Sequence, residues 1–194
     1  MSRYISMPVF KSYLGLGTET DADDVLQACL DNAESAIDDY CRRNFAGTAG
    51  TMYYNRYEQD RVRNNTFWFN EDLHTLTALT LGDGQVIPMG SLWLQPREGP
   101  PYRGIQLRSA YVYTWNTDQD MVVSGTWGYG TIAPQAVQQA TVEYATYLWR
   151  SKDVTPNDQI GYDVGAGVQP VGRGMPDGVR WKLSPYRSRS GGAI

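Results

Sequence analysis

The chain has 194 residues, 41% of them hydrophobic, and carries 17 Lys plus Arg against 21 Asp plus Glu, a net charge of −4. That length supports one well-buried core with appendages but not two large domains, and the acidic balance argues against gripping nucleic acid through its phosphates. No stretch approaches the roughly 18–20 uncharged apolar residues of a membrane span, and the N-terminus MSRYISMPVF lacks a signal-peptide apolar run, so a soluble, non-exported protein is expected.

Ser6 precedes Met7-Pro8 and then Val9, Phe10, Tyr13 and Leu14. This predicts a short helix ended by Gly15 and Gly17. From Thr20 or Asp21 as N-cap, DADDVLQACLDNAESAIDDYCRR predicts a long amphipathic helix. Its apolar stripe is Val25, Leu26, Cys29, Leu30, Ala33, Ala36, Ile37, Tyr40 and Cys41. Acids fill its first turn while Arg42 and Arg43 close its last, as the helix dipole favours. Cys29 and Cys41 sit about 18 Å apart on such a helix, beyond disulfide reach, which predicts buried free thiols in a reducing compartment.

After Phe45-Ala46-Gly47 the pattern moves from a period of 3.6 towards a period of two. TMYYNRY and NTFWFN are candidate strands, and LTALTLGDGQVIP pairs two apolar runs around Gly82-Asp83-Gly84, a tight-turn signal. Further strands are expected at Ser91–Leu94, Gly104–Arg108, Ala110–Trp115 and Met121–Thr126. Because no helix-length crossover separates them, they point to an antiparallel sandwich or small barrel.

Pro134 then opens a second amphipathic helix with Val137, Ala140, Thr141, Tyr144, Tyr147 and Leu148 on its stripe. Beyond Ser151 glycine and proline become frequent and periodicity fades. Inside that tail, Val179, Trp181, Leu183 and Tyr186 gather beside Arg173, Arg180, Lys182, Arg187 and Arg189. Such a segment reads as a peptide that docks on a partner, or one that folds back on its own sheet. The fold class is thus α+β: a helical body of two main helices plus a short N-terminal one, an antiparallel β-sandwich or barrel-like insert, and an extended C-terminal arm. The expected divisions are residues 1–48, 49–130, 131–152 and 153–194.

Gly125-Thr-Trp-Gly128-Tyr-Gly130 ahead of a helix invites comparison with phosphate-binding loops. It reverses the dinucleotide fingerprint and lacks the Lys-Ser/Thr of a phosphate loop, and Trp127 and Tyr129 would crowd a pyrophosphate. A structural corner made of Gly125, Trp127, Gly128, Tyr129, Gly130 and Pro134 is the better reading. Asp23-Asp24, Asp38-Asp39, Glu71-Asp72 and Asp118/Asp120 read as solvated surface acids. The single histidine, His74, has no companion at metal-ligand spacing, and no serine sits in a G-x-S-x-G elbow, so neither metal, cofactor nor catalysis is expected. Thr18 to Asp39 holds eight acids and no Lys or Arg. Such a face is either simply solvated or the wall of a DNA conduit that repels phosphates, with Asp23, Asp24 and Asp31 as candidate channel-facing groups.

The order of these features resembles the head–tail connector (adaptor) proteins of tailed bacteriophages. The resemblance runs through YLGL, DADDVLQACLDNAESAIDDYCRRNF, FWFNEDLHTLTALTLGDGQVIP, VSGTWGYGTIAPQAVQQATVEYATYLWRSKD and LSPYRSR. It implies a non-enzymatic virion protein of the neck, assembled in the host cytoplasm as a homo-oligomeric ring of twelve copies without any cofactor or membrane. Such a ring docks under the portal protein, carries a stopper or tail terminator, and lets genomic DNA pass without sequence-specific binding. By the same resemblance the portal-docking arm is Val179, Arg180, Trp181, Leu183, Pro185, Tyr186 and Arg187. A second reading is a carbohydrate-binding or decoration module of a virion, using Trp68, Trp93, Tyr111 and Trp115.

Overall fold

The computed structural model describes residues 4–55, 61–108, 113–115, 119–151 and 174–188. The chain divides into a helical unit from Met1–Arg42 and Pro134–Ser188, and a sheet unit whose main segment is Arg43–Ala133.

In the helical unit, α1 (Met7–Leu14) has Pro8 in its first turn and ends on Gly15, which adopts the left-handed conformation at φ 74 and returns its N–H to Ser12. Helix α2 (Asp23–Cys41) starts one to two residues later than its polar caps suggest, with Ala22 as N-cap. The basic closure also differs: Arg42 lies beyond the last turn as a left-handed C-cap, φ 51, and its N–H bonds the Asp38 carbonyl. The buried stripe is Leu26, Cys29, Leu30, Ala33, Ile37 and Cys41, whereas Val25 is exposed. Helix α3 (Gln135–Ser151) opens on Pro134, whose carbonyl accepts the N–H groups of Val137 and Gln138. Ile5, Phe10, Leu26, Leu30, Ala33, Val142 and Ala145 form the shared core of these helices. Both cysteines are buried, and neither is in a disulfide.

The sheet unit contains β1 (Thr48–Tyr54), β2 (Val62–Arg63), β3 (Thr66–Thr80), β4 (Leu92–Gln95), β5 (Tyr102–Leu107) and β6 (Met121–Trp127). The expected sandwich or barrel is realised as one six-stranded antiparallel sheet of order β1-β6-β3-β5-β4, with β2 on β3. The two apolar runs of NTFWFN and LTALT merge into the fifteen-residue β3. Its first half pairs with β5 and its second half with β6, and register shifts near Leu73 and Leu76 separate the stretches. Bulges of this kind bend a long strand, so one sheet can surround its own core. That core is Tyr54, Phe67, Phe69, Leu73, Leu79, Leu81, Ile87, Leu92, Ile105, Leu107, Met121, Val123 and Trp127. Gly84, at φ 82, closes the predicted turn, but the returning arm makes only the bridge Thr80 to Val86 instead of a full strand. Of the strand expected at 110–115, residues 113–115 are not in a strand and the remainder lies outside the described residues.

The C-terminal segment departs from an extended arm where it is described. Asp177–Leu183 forms α4 and Ser184–Tyr186 a single 3₁₀ turn. Val179 and Leu183 are buried, the Ser188 N–H donates to the Cys41 carbonyl at 2.7 Å, and Lys182 is ion-paired with Glu143 of α3. Residues 174–188 therefore fold back on the helices of their own unit. The reason is its spacing: Val179 and Leu183 are four residues apart, so one helical turn brings both to the same face.

Candidate functional site

Two exposed surfaces of the helical unit bear on function. On α2, Asp24, Ala28, Asp31, Ser35 and Asp39 are all exposed and recur every three or four residues, so they form one stripe whose only charges are carboxylates. Asp31 accepts a hydrogen bond from Gln27 at 2.8 Å. Asp23 does not belong to this stripe. It is ion-paired with Lys11, a lysine only 7% exposed that also donates to the Glu19 carbonyl, which ties α1 to the start of α2. The acid cluster also contains groups with internal work that composition did not reveal. Glu34, 2% exposed, accepts the Tyr4 backbone N–H at 2.8 Å, and Asp38 accepts the Tyr4 hydroxyl.

Along α4 and the turn that follows it, the seven arm residues separate into two roles. Val179 and Leu183 are buried, while Trp181 is 81% exposed and Arg180 is exposed too. Pro185 is exposed and Tyr186 half-buried, and the Arg187 guanidinium lies 5.0 Å from the Tyr40 ring centroid. Deleting everything after about residue 172 would therefore remove core side chains as well as a docking element. Beside α4, Tyr144 stacks on Tyr147 with centroids 6.2 Å apart. Burial raises the Tyr144 phenol above 10.0, helped by Tyr147 and opposed by Arg180.

The glycine corner is held by its own backbone. Gly128 donates to the Asp72 carbonyl at 2.7 Å, Tyr129 to the Asn44 carbonyl at 2.8 Å, and Gly47 to the Gly130 carbonyl at 2.6 Å. A phosphate cradle needs such amides directed at the ligand, whereas these are already satisfied. A Cβ at Gly125 would lie 2.1 Å from the Thr75 carbonyl oxygen, and Gly128 has φ +137. Trp127 packs edge-on against Phe69, and its indole N–H reaches the Gly50 carbonyl at 3.2 Å. Tyr129 is held between Phe45 and the Arg43 guanidinium.

Glu71-Asp72 is not a solvated pair. Glu71 is exposed and accepts the Tyr54 hydroxyl, but the Asp72 side chain is 2% exposed and sits between Arg103 at 2.9 Å and Arg43 at 3.4 Å. Sequence reasoning missed it because its partners are some thirty residues away on either side. His74 is half-buried on β3. Among the described residues no group of three His, Cys, Asp or Glu is placed to hold a metal ion, and no helix is long and apolar enough to cross a membrane.

Among the described residues, the aromatics of the carbohydrate reading do not share an open platform. Trp93 is covered by Arg97, 3.8 Å from its ring centroid, and by Arg108 at 5.1 Å. Trp115 packs on Phe67 with its indole N–H on the Asn65 carbonyl. Trp68 is 42% exposed, and Tyr111 lies outside the described residues.

No protein-family model matches this chain, and no curated protein does. Solved structures share its fold. A chain in the virion of a native gene transfer agent (GTA) particle matches with TM-score 0.61 and 17% identity over 95% of this chain and 89% of that one. A chain in the neck of an empty GTA particle, computed with C6 symmetry, gives 0.59 and 19% over 95% and 89%. One in the neck of a native GTA particle, computed with C12 symmetry, gives 0.55 and 16% over 97% and 95%. At such identities the likeness is one of fold.

Proposed function

We propose that this protein is a structural component of the neck of a phage-like particle, a head–tail connector that assembles as a ring of twelve copies beneath the portal. The observation that carries the reading is the fold likeness over nearly the whole chain to neck chains, one of them in a particle neck computed with C12 symmetry. In a ring each subunit presents two different surfaces to its neighbours and a third to whatever lies above or below. Trp181, exposed on a short helix anchored by Val179 and Leu183, supplies with Arg180 the aromatic and arginine chemistry expected at a binding hot spot. It is assigned to the portal contact. The Asp24 and Asp31 stripe is assigned to the channel wall, where carboxylates keep a passing duplex from adhering. A stopper or tail terminator would seat on the opposite face of the ring. No step of this function needs a catalyst or cofactor.

Native mass spectrometry and negative-stain imaging of the full chain, alone and with portal protein, test the proposal. Rings of uniform size that join the portal are expected. Monomers under both conditions would overturn it.

A further inference from the structure

We propose that the free edge of β1 accepts an added strand from a second copy of this chain, contributed by residues 159–164, so that neighbouring subunits are joined through the sheet. The inference rests on the ring reading above.

The two ends of the sheet order are built differently. At one end β4 has four residues, is followed at once by Pro96, and carries Trp93 beneath Arg97 and Arg108. Shortness, proline and charge are the usual devices that stop a strand from recruiting another. At the other end β1 has seven residues, TAGTMYY, with no charge and no proline. Among the described residues it pairs only with β6, through Thr48 to Trp127 up to Tyr54 to Met121. Alternate side chains of a strand point to opposite faces, yet Thr48, Ala49, Gly50 and Thr51 are all exposed and Tyr53 is 67% exposed. An uncharged strand with its first four residues exposed and, among the described residues, no partner beyond β6 is the geometry that main-chain strand addition uses, while Met52 and Tyr54 hold its other end to the core.

The length of chain outside the described structure names the occupant. Residues 152–173 leave the end of α3 and return just before α4, and α4 packs back on α3 through Lys182 and Glu143. These 22 residues thus begin and finish on one helical unit. Extended at about 3.3 Å per residue, they could run out and back by roughly 36 Å. Within them Gln159-Ile160-Gly161-Tyr162-Asp163-Val164 alternates apolar and polar residues, the pattern of a half-buried strand. Ile160, Tyr162 and Val164 would form one row beside the uncharged row of β1, where aromatic and β-branched cross-strand pairs stabilise a sheet.

Amide hydrogen exchange on the full chain, compared between dilute monomer and assembled ring, is the test. Alternate β1 amides, those directed away from β6, should exchange about tenfold or more slowly in the ring, and Tyr162→Pro should abolish that gain while the monomer keeps its helical and sheet signals. Equal β1 exchange in monomer and ring would overturn the proposal while leaving the ring reading intact. So would protection that survives Tyr162→Pro, since another element would then cover the edge. Protection already present in the monomer and lost in Tyr162→Pro would mean the strand is added within one chain, which also overturns it. If no ring forms at all, the ring reading fails and this inference with it.

Discussion

The Asp72 carboxylate lies 2.9 Å from the Arg103 Nε, with the aspartate side chain 2% exposed and the arginine 24% exposed. A carboxylate taken out of water is stable only when its partners stay in place, and removing one member of a buried pair strands the other. Arg43 approaches the same carboxylate at 3.4 Å, while the Asp72 main-chain oxygen receives the Gly128 N–H. One residue therefore links β5, the chain just after α2, and the corner after β6.

Asp72→Ala should destabilise the sheet unit by about 3 kcal/mol, the lower end for a broken buried pair because both arginines keep some contact with water. Urea unfolding monitored by tryptophan fluorescence measures this. A change below about 0.5 kcal/mol, typical of a surface substitution, would restore the solvated reading of the Glu71-Asp72 pair.

Three glycines should respond in a defined order. Gly15 has φ +74 but open space around a would-be Cβ, so Gly15→Ala should cost about 1 kcal/mol from backbone strain alone. Gly128 combines φ +137 with a Cβ position 2.9 Å from the Gly47 Cα, so Gly128→Val should cost several times more and impair both folding and assembly. At Gly125 the 2.1 Å approach to the Thr75 carbonyl leaves no room between β6 and β3, and even Gly125→Ala should prevent normal sheet formation. Thermal unfolding of the three variants should rank them in that order. A Gly125→Ala protein as stable as Gly15→Ala would show that the strands can separate without penalty.

Where structure depends on neighbours in sequence, the residues could be read directly. Pro8 and Gly15 bound α1, the apolar stripe of α2 is visible as a period, and Gly82 to Gly84 mark a turn. At the corner the expected freedom in φ applies to Gly128, at φ +137, whereas Gly125 is required by the close approach of the Thr75 carbonyl, which the sequence does not announce. Distance in sequence hid the rest. Nothing in NTFWFNEDLHTLTALT separates one bent strand from two straight ones, since the bulges lie in the pairing of β3 with β5 on one side and β6 on the other. Nothing near Asp72 announces Arg43 and Arg103. The mixed content of α4 was legible, but its division into buried and exposed residues required the α3 surface.

That division gives a paired prediction. Leu183→Ala removes a side chain with no exposure and should cost about 2–5 kcal/mol. Trp181→Ala should leave stability within about 0.5 kcal/mol but abolish co-sedimentation of the ring with portal protein. If Trp181→Ala rings still bind portal at the unmodified level, α4 serves only to brace the helices and the docking surface lies elsewhere.

The acids of α2 can be tested in the same comparative way. Asp24 and Asp31 are exposed and about 10 Å apart along the helix at 1.5 Å per residue. That is close to one Debye length at physiological ionic strength, so a duplex passing within reach would feel them as a screened but continuous negative strip. Replacing both with lysine inverts the strip in every subunit and should slow DNA release from assembled particles severalfold at low salt, with the delay shrinking as salt rises. Asp23→Lys is the informative contrast. It breaks the ion pair with Lys11, a lysine that is nearly buried, and places two ammonium groups together. It should therefore lower the thermal stability of the helical unit with no matching salt-dependent delay in release. Unchanged release kinetics for Asp24→Lys/Asp31→Lys particles at every ionic strength would take the stripe off the channel wall and leave it as a solvated face.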